Sequence, residues 1–167
     1  MNYVHKRMAS PVGTLTLVGG REGLAAVLWE NDDPRRVRLD AGDRDDAHPV
    51  LSEAERQLTE YFEGRRTRIS IGLDFQGTTF QKSVWRALLE IPFGETRSYG
   101  GVAKAIGVPQ AVRAVGAANG RNPVSIIVPC HRVVGATGQL TGFAGGLEAK
   151  AYLLRLEGAR TGEPAFA

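Results

Sequence analysis

Cys130 is the only thiol in a chain of 167 residues. It stands in Pro129-Cys130-His131-Arg132, directly after the strongly apolar run at 125–128 (SIIV). A thiol becomes a nucleophile when its thiolate is favoured, by positive neighbours or by a helix N-terminus. Proline fixes one torsion and removes a backbone donor, so the chain turns rigidly just before the sulfur. His131 and Arg132 are the immediate neighbours and could supply a base and a positive charge. The competing reading is inert, because free cysteine is among the most buried residue types and packs like a small hydrophobe. Residue types alone leave both readings open.

A reactive cysteine needs a base and a group that orients the base. His5 and His48 lie in stretches that are weakly patterned or acidic, so His131 is the candidate base, with a water as go-between. Glu157 ends an apolar helix, a costly place for a carboxylate unless it is paired or solvated. A carboxylate there also opposes the helix dipole, which favours a specific partner. Glu157 is therefore the candidate to orient His131, against the alternative of a solvated helix end. A single cysteine excludes an internal disulfide framework and any Cys-based zinc site.

These residues need a scaffold, and the hydrophobic fraction of 43% is ordinary for a folded chain. Of the 21 basic and 18 acidic residues, residues 1–75 hold 11 and 13, and residues 76–167 hold 10 and 5. The second half can meet a polyanion while the first half need not. A solvated, Arg-rich surface is the plainer explanation of the same numbers. No stretch approaches the ~18 apolar residues that span a membrane. The first residues lack an apolar signal-peptide core, so a cytoplasmic protein is expected.

The first half reads as a small sheet with a helix against it. Residues 14–18 (TLTLV) and 24–29 (LAAVLW) have strand patterning, with Gly19-Gly20 as a turn between them. Residues 30–49 are charged and turn-rich, with a short strand conceivable at 37–39. Ser52 with Glu55 reads as a capping box that opens a helix at about 52–63, and 69–73 is a third strand candidate.

The second half reads as mostly helical. Thr78 and Gln81 form another possible capping box. Phe80, Val84, Leu88 and Ile91 then lie on one helical face that Pro92 interrupts. Ser98 can cap a helix at about 99–106, and Pro109 can open one at about 110–118. Two short helices joined by Gly107, Val108 and Pro109 have helix-turn-helix spacing, which many proteins that touch no DNA share. A last helix at about 147–157 puts Leu147, Ala151 and Leu154 on one face, and 159–167 reads as a frayed tail.

The chain resembles the methylated-DNA–protein-cysteine methyltransferases, also called O6-alkylguanine-DNA alkyltransferases. PCHRVV at 129–134 matches that family's active-site signature. FQKSVWRALLEIPFGETRSYG at 80–100, QAVRAVGAANGRNP at 110–123 and GFAGGLEAKAYLLRLEG at 142–158 occur in the family's order. These blocks cover most of 78–158; residues 1–75 resemble the variable N-terminal domain more loosely. The resemblance implies an α+β fold: a ribonuclease-H-like sheet-plus-helix domain at 1–75 and a mostly helical, winged-helix-like DNA-binding domain at 76–158.

It also implies single-turnover repair. A protein of this kind would flip O6-alkylguanine, with O4-alkylthymine a further candidate substrate, from duplex DNA and take the alkyl group irreversibly onto its own cysteine. On this template Cys130 is the acceptor, His131 its base through a water, and Glu157 the carboxylate that orients His131. Arg113 resembles the arginine finger that fills the gap left by the flipped nucleotide, and Tyr99 the tyrosine that aids flipping and hydrogen-bonds the base. Asn122 resembles the asparagine that braces the turn before the active-site segment. Val133 would offer a backbone carbonyl to the exocyclic amine and Ala144 a backbone N–H near O6. Arg97, Lys104 and Arg121 are candidate phosphate contacts and equally good solvated charges. No metal or organic cofactor is implied, because the alkyl group arrives on the substrate. The expected partner is alkylated double-stranded DNA, met in the minor groove by a monomer; no membrane is involved.

The sequence departs from the family in places. Phe143 stands where relatives often carry tyrosine, and Ala144 where they often carry serine. An altered preference among alkyl groups follows, not inactivity. The zinc ligands that some members carry near the N-terminus are missing. A non-reacting subfamily has tryptophan at the cysteine position, and Cys130 argues against membership of it. Two other classes compete: a helix-turn-helix regulator in which Cys130 is structural, and a cysteine hydrolase that turns over.

Overall fold

The structure, a computed structural model, describes residues 2–158. The tail expected at 159–167 lies outside the described residues. The chain divides into two compact units, Met1–Gln76 with Pro123–Ile127, and Gly77–Asn122 with the chain from Val128 onward. Residues 123–127, expected in the second domain, therefore count with the first unit.

In the first unit a sheet of order β3-β2-β1-β4 is built from β1 (Val4–Met8), β2 (Leu15–Gly20), β3 (Gly23–Leu28) and β4 (Asp43–Arg44). β1 pairs antiparallel with β2 in the register Met8↔Leu15, and β2 pairs antiparallel with β3. Leu15, Leu17, Val18, Leu24 and Val27 are fully buried. β1 was not expected, since Lys6 interrupts its apolar alternation. Lys6 instead ion-pairs with Glu55 on the neighbouring helix at 3.1 Å. The short strand considered at 37–39 does not form; Asp43–Arg44 makes the pairing in that stretch, parallel to β1. Residues 69–73 are likewise not a strand, apart from a single bridge between Leu73 and Leu24.

α1 (Pro49–Phe62) begins three residues before the expected site. Pro49 is preset for the first helical position, and His48 caps it by accepting from the Val50 N–H at 3.2 Å. The Ser52 N–H already donates to the His48 carbonyl, so Ser52 lies inside the helix and its capping box is not made. Leu51, Ala54, Leu58 and Tyr61 form the buried face.

The apolar run at 125–128 is buried but does not run on as a strand, and the chain at 123–127 bends. The Val27 N–H donates to the Pro123 carbonyl, and the Trp29 indole N–H donates to Ser125 Oγ at 3.1 Å. The Ile127 N–H then returns to the Ser125 carbonyl at 2.9 Å, around Ile126 at φ 75°. That is a γ-turn of the rarer, positive-φ kind, centred on a β-branched residue that resists it.

The second unit holds α2 (Thr79–Leu88), α3 (Tyr99–Ala105), α4 (Val112–Gly120) and α5 (Leu147–Leu156), with a two-stranded parallel pair of β5 (Arg97–Ser98) and β6 (Val133–Val134). Two of its starts are local and form as read. Thr78 and Gln81 complete a reciprocal capping box, and Ser98 Oγ accepts from the Gly101 N–H at 3.0 Å. α4 differs. Pro109 lies in the turn, the helix begins at Val112, and residues 106–111 join the helix pair. α2 packs on α4, where the Trp85 indole N–H donates to the Ala118 carbonyl at 2.9 Å.

Gly77 shows how tightly that indole is seated. A Cβ there would lie 2.5 Å from the Trp85 ring and 2.8 Å from Gln81 Oε1. Gly77→Ala is expected to destabilise the protein by about 1–3 kcal/mol through overpacking. An unchanged urea midpoint would show that the indole yields freely.

Candidate active site

The route to Cys130 is set by hydrogen bonds on either side of it. Asn122, fully buried, donates from Nδ2 to the Val128 carbonyl at 2.8 Å. This bond joins the two points where the chain leaves and re-enters the second unit. The Cys130 N–H then donates to the Val128 carbonyl at 2.8 Å, around Pro129 at φ −82° and ψ 64°. That is an inverse γ-turn, and proline's fixed φ suits its centre. Cys130–Arg132 continues as one 3₁₀ turn that hands over to β6. Cys130 is 4% exposed and His131 fully buried.

Glu157 caps the C-terminal end of α5, and Gly158 follows at φ 68°, a left-handed conformation suited to glycine. Its carboxylate lies 2.7 Å from His131 Nε2. The same carboxylate accepts two bonds from the Arg132 guanidinium, Nε to Oε1 at 2.8 Å and Nη2 to Oε2 at 3.0 Å. Arg132 Nη1 donates to the Ile91 carbonyl at 2.6 Å. Arg132, read from sequence as a charge beside the sulfur, therefore spends its fork on Glu157.

The electrostatics follow from these contacts. Burial pushes the Glu157 carboxyl up, but hydrogen bonds and charge from His131 and Arg132 outweigh it and hold it at about 2. Burial lowers the His131 pKa, and the Glu157 bond and charge only partly offset this. The consistent state is a neutral imidazole that donates from Nε2 to an ionised Glu157. The other ring nitrogen, Nδ1, then holds a lone pair; it is buried and has no hydrogen-bond partner among the described residues. A neutral imidazole with one nitrogen anchored and the other open is a base in waiting.

Sequence reasoning passed over Lys150, which is entirely buried. Its Nζ donates to the Val133 carbonyl at 2.6 Å and to Thr141 Oγ1 at 3.3 Å. It also lies 5.9 Å from the Phe143 ring centroid. The face expected from Leu147, Ala151 and Leu154 is not the packed one: Leu147 is 51% exposed, and Ala149, Lys150, Leu153 and Leu154 are the buried residues of α5. The Val133 carbonyl, expected to serve the substrate amine, thus already takes one strong bond; its second lone pair is the one left for a ligand.

The remaining candidates occupy the helix pair and the loops. Tyr99 is the first residue of α3, and its hydroxyl bonds Thr141 Oγ1. A Cβ on Gly116 of α4 would lie 3.8 Å from the Tyr99 ring, so the tyrosine stands against the second helix. Arg113 is exposed, one turn before Gly116. Ala111 gives α4 no side-chain cap. Lys104, Arg121 and Arg97 are exposed, and Arg97 ion-pairs with Glu95 at 3.0 Å. Ala144 is exposed and Phe143 half-buried. Among the described residues no group of three or more His, Cys, Asp or Glu side chains is placed to hold a metal ion. No described helix is long and apolar enough to cross a membrane.

Two family profiles match the chain. One, described as 6-O-methylguanine DNA methyltransferase, DNA binding domain, matches residues 79–159. The other, the ribonuclease-like domain of the same family, matches residues 3–75. The methylated-DNA–protein-cysteine methyltransferase of Methanosarcina acetivorans is 51% identical over 149 residues, which is 89% of this chain and 94% of the relative. The Mycobacterium tuberculosis protein of that name is 48% identical over 160 residues, 93% of each chain. The crystal structure of Mycobacterium tuberculosis OGT in complex with DNA matches at a TM-score of 0.84 and 46% identity, covering 95% of this chain and 93% of that one. The Pyrococcus kodakaraensis O6-methylguanine-DNA methyltransferase shares the fold at a TM-score of 0.55 and 21% identity, covering 94% and 99%.

Glu157→Gln leaves the Arg132 guanidinium buried without its anion, and loss of one partner of such a pair costs about 3–5 kcal/mol. The wild type should show the same dependence in acid. A carboxylate whose folded pKa lies below its unfolded value stabilises above the unfolded value and loses that contribution as pH falls. Here the window runs from 4.5 down to about 2. Urea unfolding between pH 7 and 3 should show a loss in the wild type that Glu157→Gln no longer shows. Parallel pH profiles for the two proteins would reject the coupling.

Proposed function

The chain belongs to the 6-O-methylguanine DNA methyltransferase family, and on that premise we propose which of its residues carry out the transfer. The protein is a single-turnover DNA repair alkyltransferase that moves the alkyl group of O6-alkylguanine onto its own cysteine. Cys130 is the acceptor. The observation that carries this reading is the buried His131–Glu157 hydrogen bond in the turn that holds the chain's only cysteine.

In the reading proposed, the thiol proton passes through a water to His131 Nδ1, while Glu157 steadies the imidazolium that forms. The thiolate attacks the alkyl carbon from the side opposite O6. The C–O6 bond breaks, its electron pair stays with the guanine, and a thioether remains on Cys130. The reaction is a displacement at carbon, so alignment of sulfur, carbon and oxygen is the main requirement. Rigid γ-turns before the sulfur and a 3₁₀ turn after it support that alignment. Donors near the base lower the cost of its departure; Tyr99 and the Ala144 N–H are the candidates.

The target carbon lies inside the base stack, so the nucleotide must be turned out of the duplex. Arg113 is proposed to fill the gap, supported by its exposure at the start of α4, a turn from the glycine that abuts Tyr99. A helix start without a side-chain cap favours a nearby phosphate. Lys104, Arg121 and Arg97 would add salt-sensitive backbone contacts. Minor-groove entry by single copies of the chain completes the proposal, with Phe143 walling the pocket and Asn122 bracing the turn.

Incubation with a short duplex containing O6-methylguanine should add about 14 Da once per molecule, on the peptide that holds Cys130, because nucleophilic catalysis stores the group on the protein. Repair that leaves the mass unchanged would mean a turnover enzyme and would reject the reading. Arg113→Ala should slow repair of duplex DNA at least tenfold more than reaction with free O6-benzylguanine; equal losses on both would remove its role in flipping.

A further inference from the structure

Ile126 stands at φ 75°, in the left-handed region, with a side chain branched at Cβ. That conformation is unfavourable for a β-branched residue and persists only where its surroundings dictate it. Hydrogen bonds on its entry side do so here. The Val27 N–H donates to the Pro123 carbonyl at 2.9 Å, and the Trp29 indole N–H donates to Ser125 Oγ at 3.1 Å. The Ile127 N–H then closes the turn on the Ser125 carbonyl at 2.9 Å. Ser125 is fully buried and Trp29 is 6% exposed, so the indole–hydroxyl bond is sheltered from water.

Four residues lie between Ser125 and Cys130. Pro129 has its φ fixed by its ring. The Val128 carbonyl is held by the Asn122 amide and by the Cys130 N–H, both at 2.8 Å. The strained joint of this short path is therefore Ile126, and a side-chain bond from Trp29 grips the chain just before it.

We propose that Trp29 is a positioning residue for the transfer: its indole N–H, through Ser125, holds the strained turn at Ile126 that fixes where Cys130 presents its sulfur. This rests on Cys130 being the acceptor. Without the bond, Ile126 relaxes toward the negative φ that β-branched residues prefer, roughly −60 to −160°. The backbone then reaches Val128 from another direction. Asn122 still holds that carbonyl, but one hydrogen bond fixes a point and not a direction. Every group on this path is neutral, so its loss leaves the charge balance around the thiol as it was. What changes is the line from sulfur to alkyl carbon. Displacement at carbon depends on that line, and a misplacement of about 1 Å can cost on the order of a hundredfold in rate.

The test deletes the donor alone. Trp29 is replaced by benzothienylalanine, which keeps the shape of the indole and carries sulfur in place of the N–H. Trp29→Phe and Ser125→Ala remove the donor and the acceptor by ordinary substitution. With saturating duplex containing O6-methylguanine, each variant should lose at least tenfold in limiting single-turnover rate. The half-saturating duplex concentration should stay within twofold. Iodoacetamide is a free reagent that brings its own alignment, so its alkylation of the thiol should not slow. Trp29→Phe combined with Ser125→Ala should lose no more than the worse single variant, since both remove one bond.

A merely structural bond would lower stability and leave these rates alone. Unchanged limiting rates in the benzothienylalanine protein would overturn the proposal, as would a fall shared equally by transfer and iodoacetamide. Losses that multiply in the double variant would also overturn it, because the effect would then lie outside this bond. If the two ordinary variants fail to fold, the benzothienylalanine protein decides, since it keeps the volume of the ring. Peptide mapping of the wild-type product tests the premise separately. A methyl group on any residue but Cys130 would sink the reading of the acceptor rather than that of the turn.

Discussion

The carboxylate of Glu157 is the constraint on which the site depends. One buried anion takes three hydrogen bonds, one from His131 and two from Arg132. A lone buried carboxylate would take up a proton and cease to orient anything. The planar guanidinium prevents that, because its fork matches both oxygens and cannot be deprotonated. Its remaining arm reaches the Ile91 carbonyl just after α2. The end of α5, the 3₁₀ turn and the exit of α2 are thus tied at one point, and the imidazole is held by groups that are themselves held.

Arg132 and Lys150 divide the positive charge of the site in different ways. Arg132 is matched to a permanent anion, so that pair is closed and structural. Lys150 has no such match: the Val133 carbonyl and Thr141 Oγ1 accept from it, and both are neutral. With a thiol in place, Glu157, Arg132 and Lys150 leave one positive charge in excess. Burial magnifies that excess, because little water is available to screen it.

The parts of this arrangement that were legible in the sequence are local ones. Thr78 and Ser98 cap their helices because a hydroxyl and an N–H a few residues on suffice for a cap. Ser52 carried the same signal and lost, since His48 and Pro49 begin the helix first. The order of motifs placed Cys130, His131 and Glu157 together across 27 residues of chain, which no local rule could do. What stayed hidden was partnership through space. Lys6 disguised β1 because its charge is answered by Glu55 on a helix. Arg132 looked like a neighbour of the sulfur because adjacency in sequence says nothing of where a long side chain ends. Lys150 looked like a solvated lysine, because the stripe read from the sequence was Leu147, Ala151 and Leu154 while the face that packs is Ala149, Lys150, Leu153 and Leu154.

Single turnover follows from the same geometry. Displacement from sulfur would require the thioether to leave as a thiolate, attacked at a carbon that now carries no activated leaving group. Guanine departed because it could accept a proton and spread its charge over a ring; a thioether can do neither. A rescuing thiol would have to come from elsewhere in the chain, and the sequence contains no second cysteine. Water would need an approach to the sulfur of a residue that is 4% exposed. The burial that strengthens the electrostatics before transfer therefore protects the product afterwards, and the features that activate Cys130 also make its alkylation final.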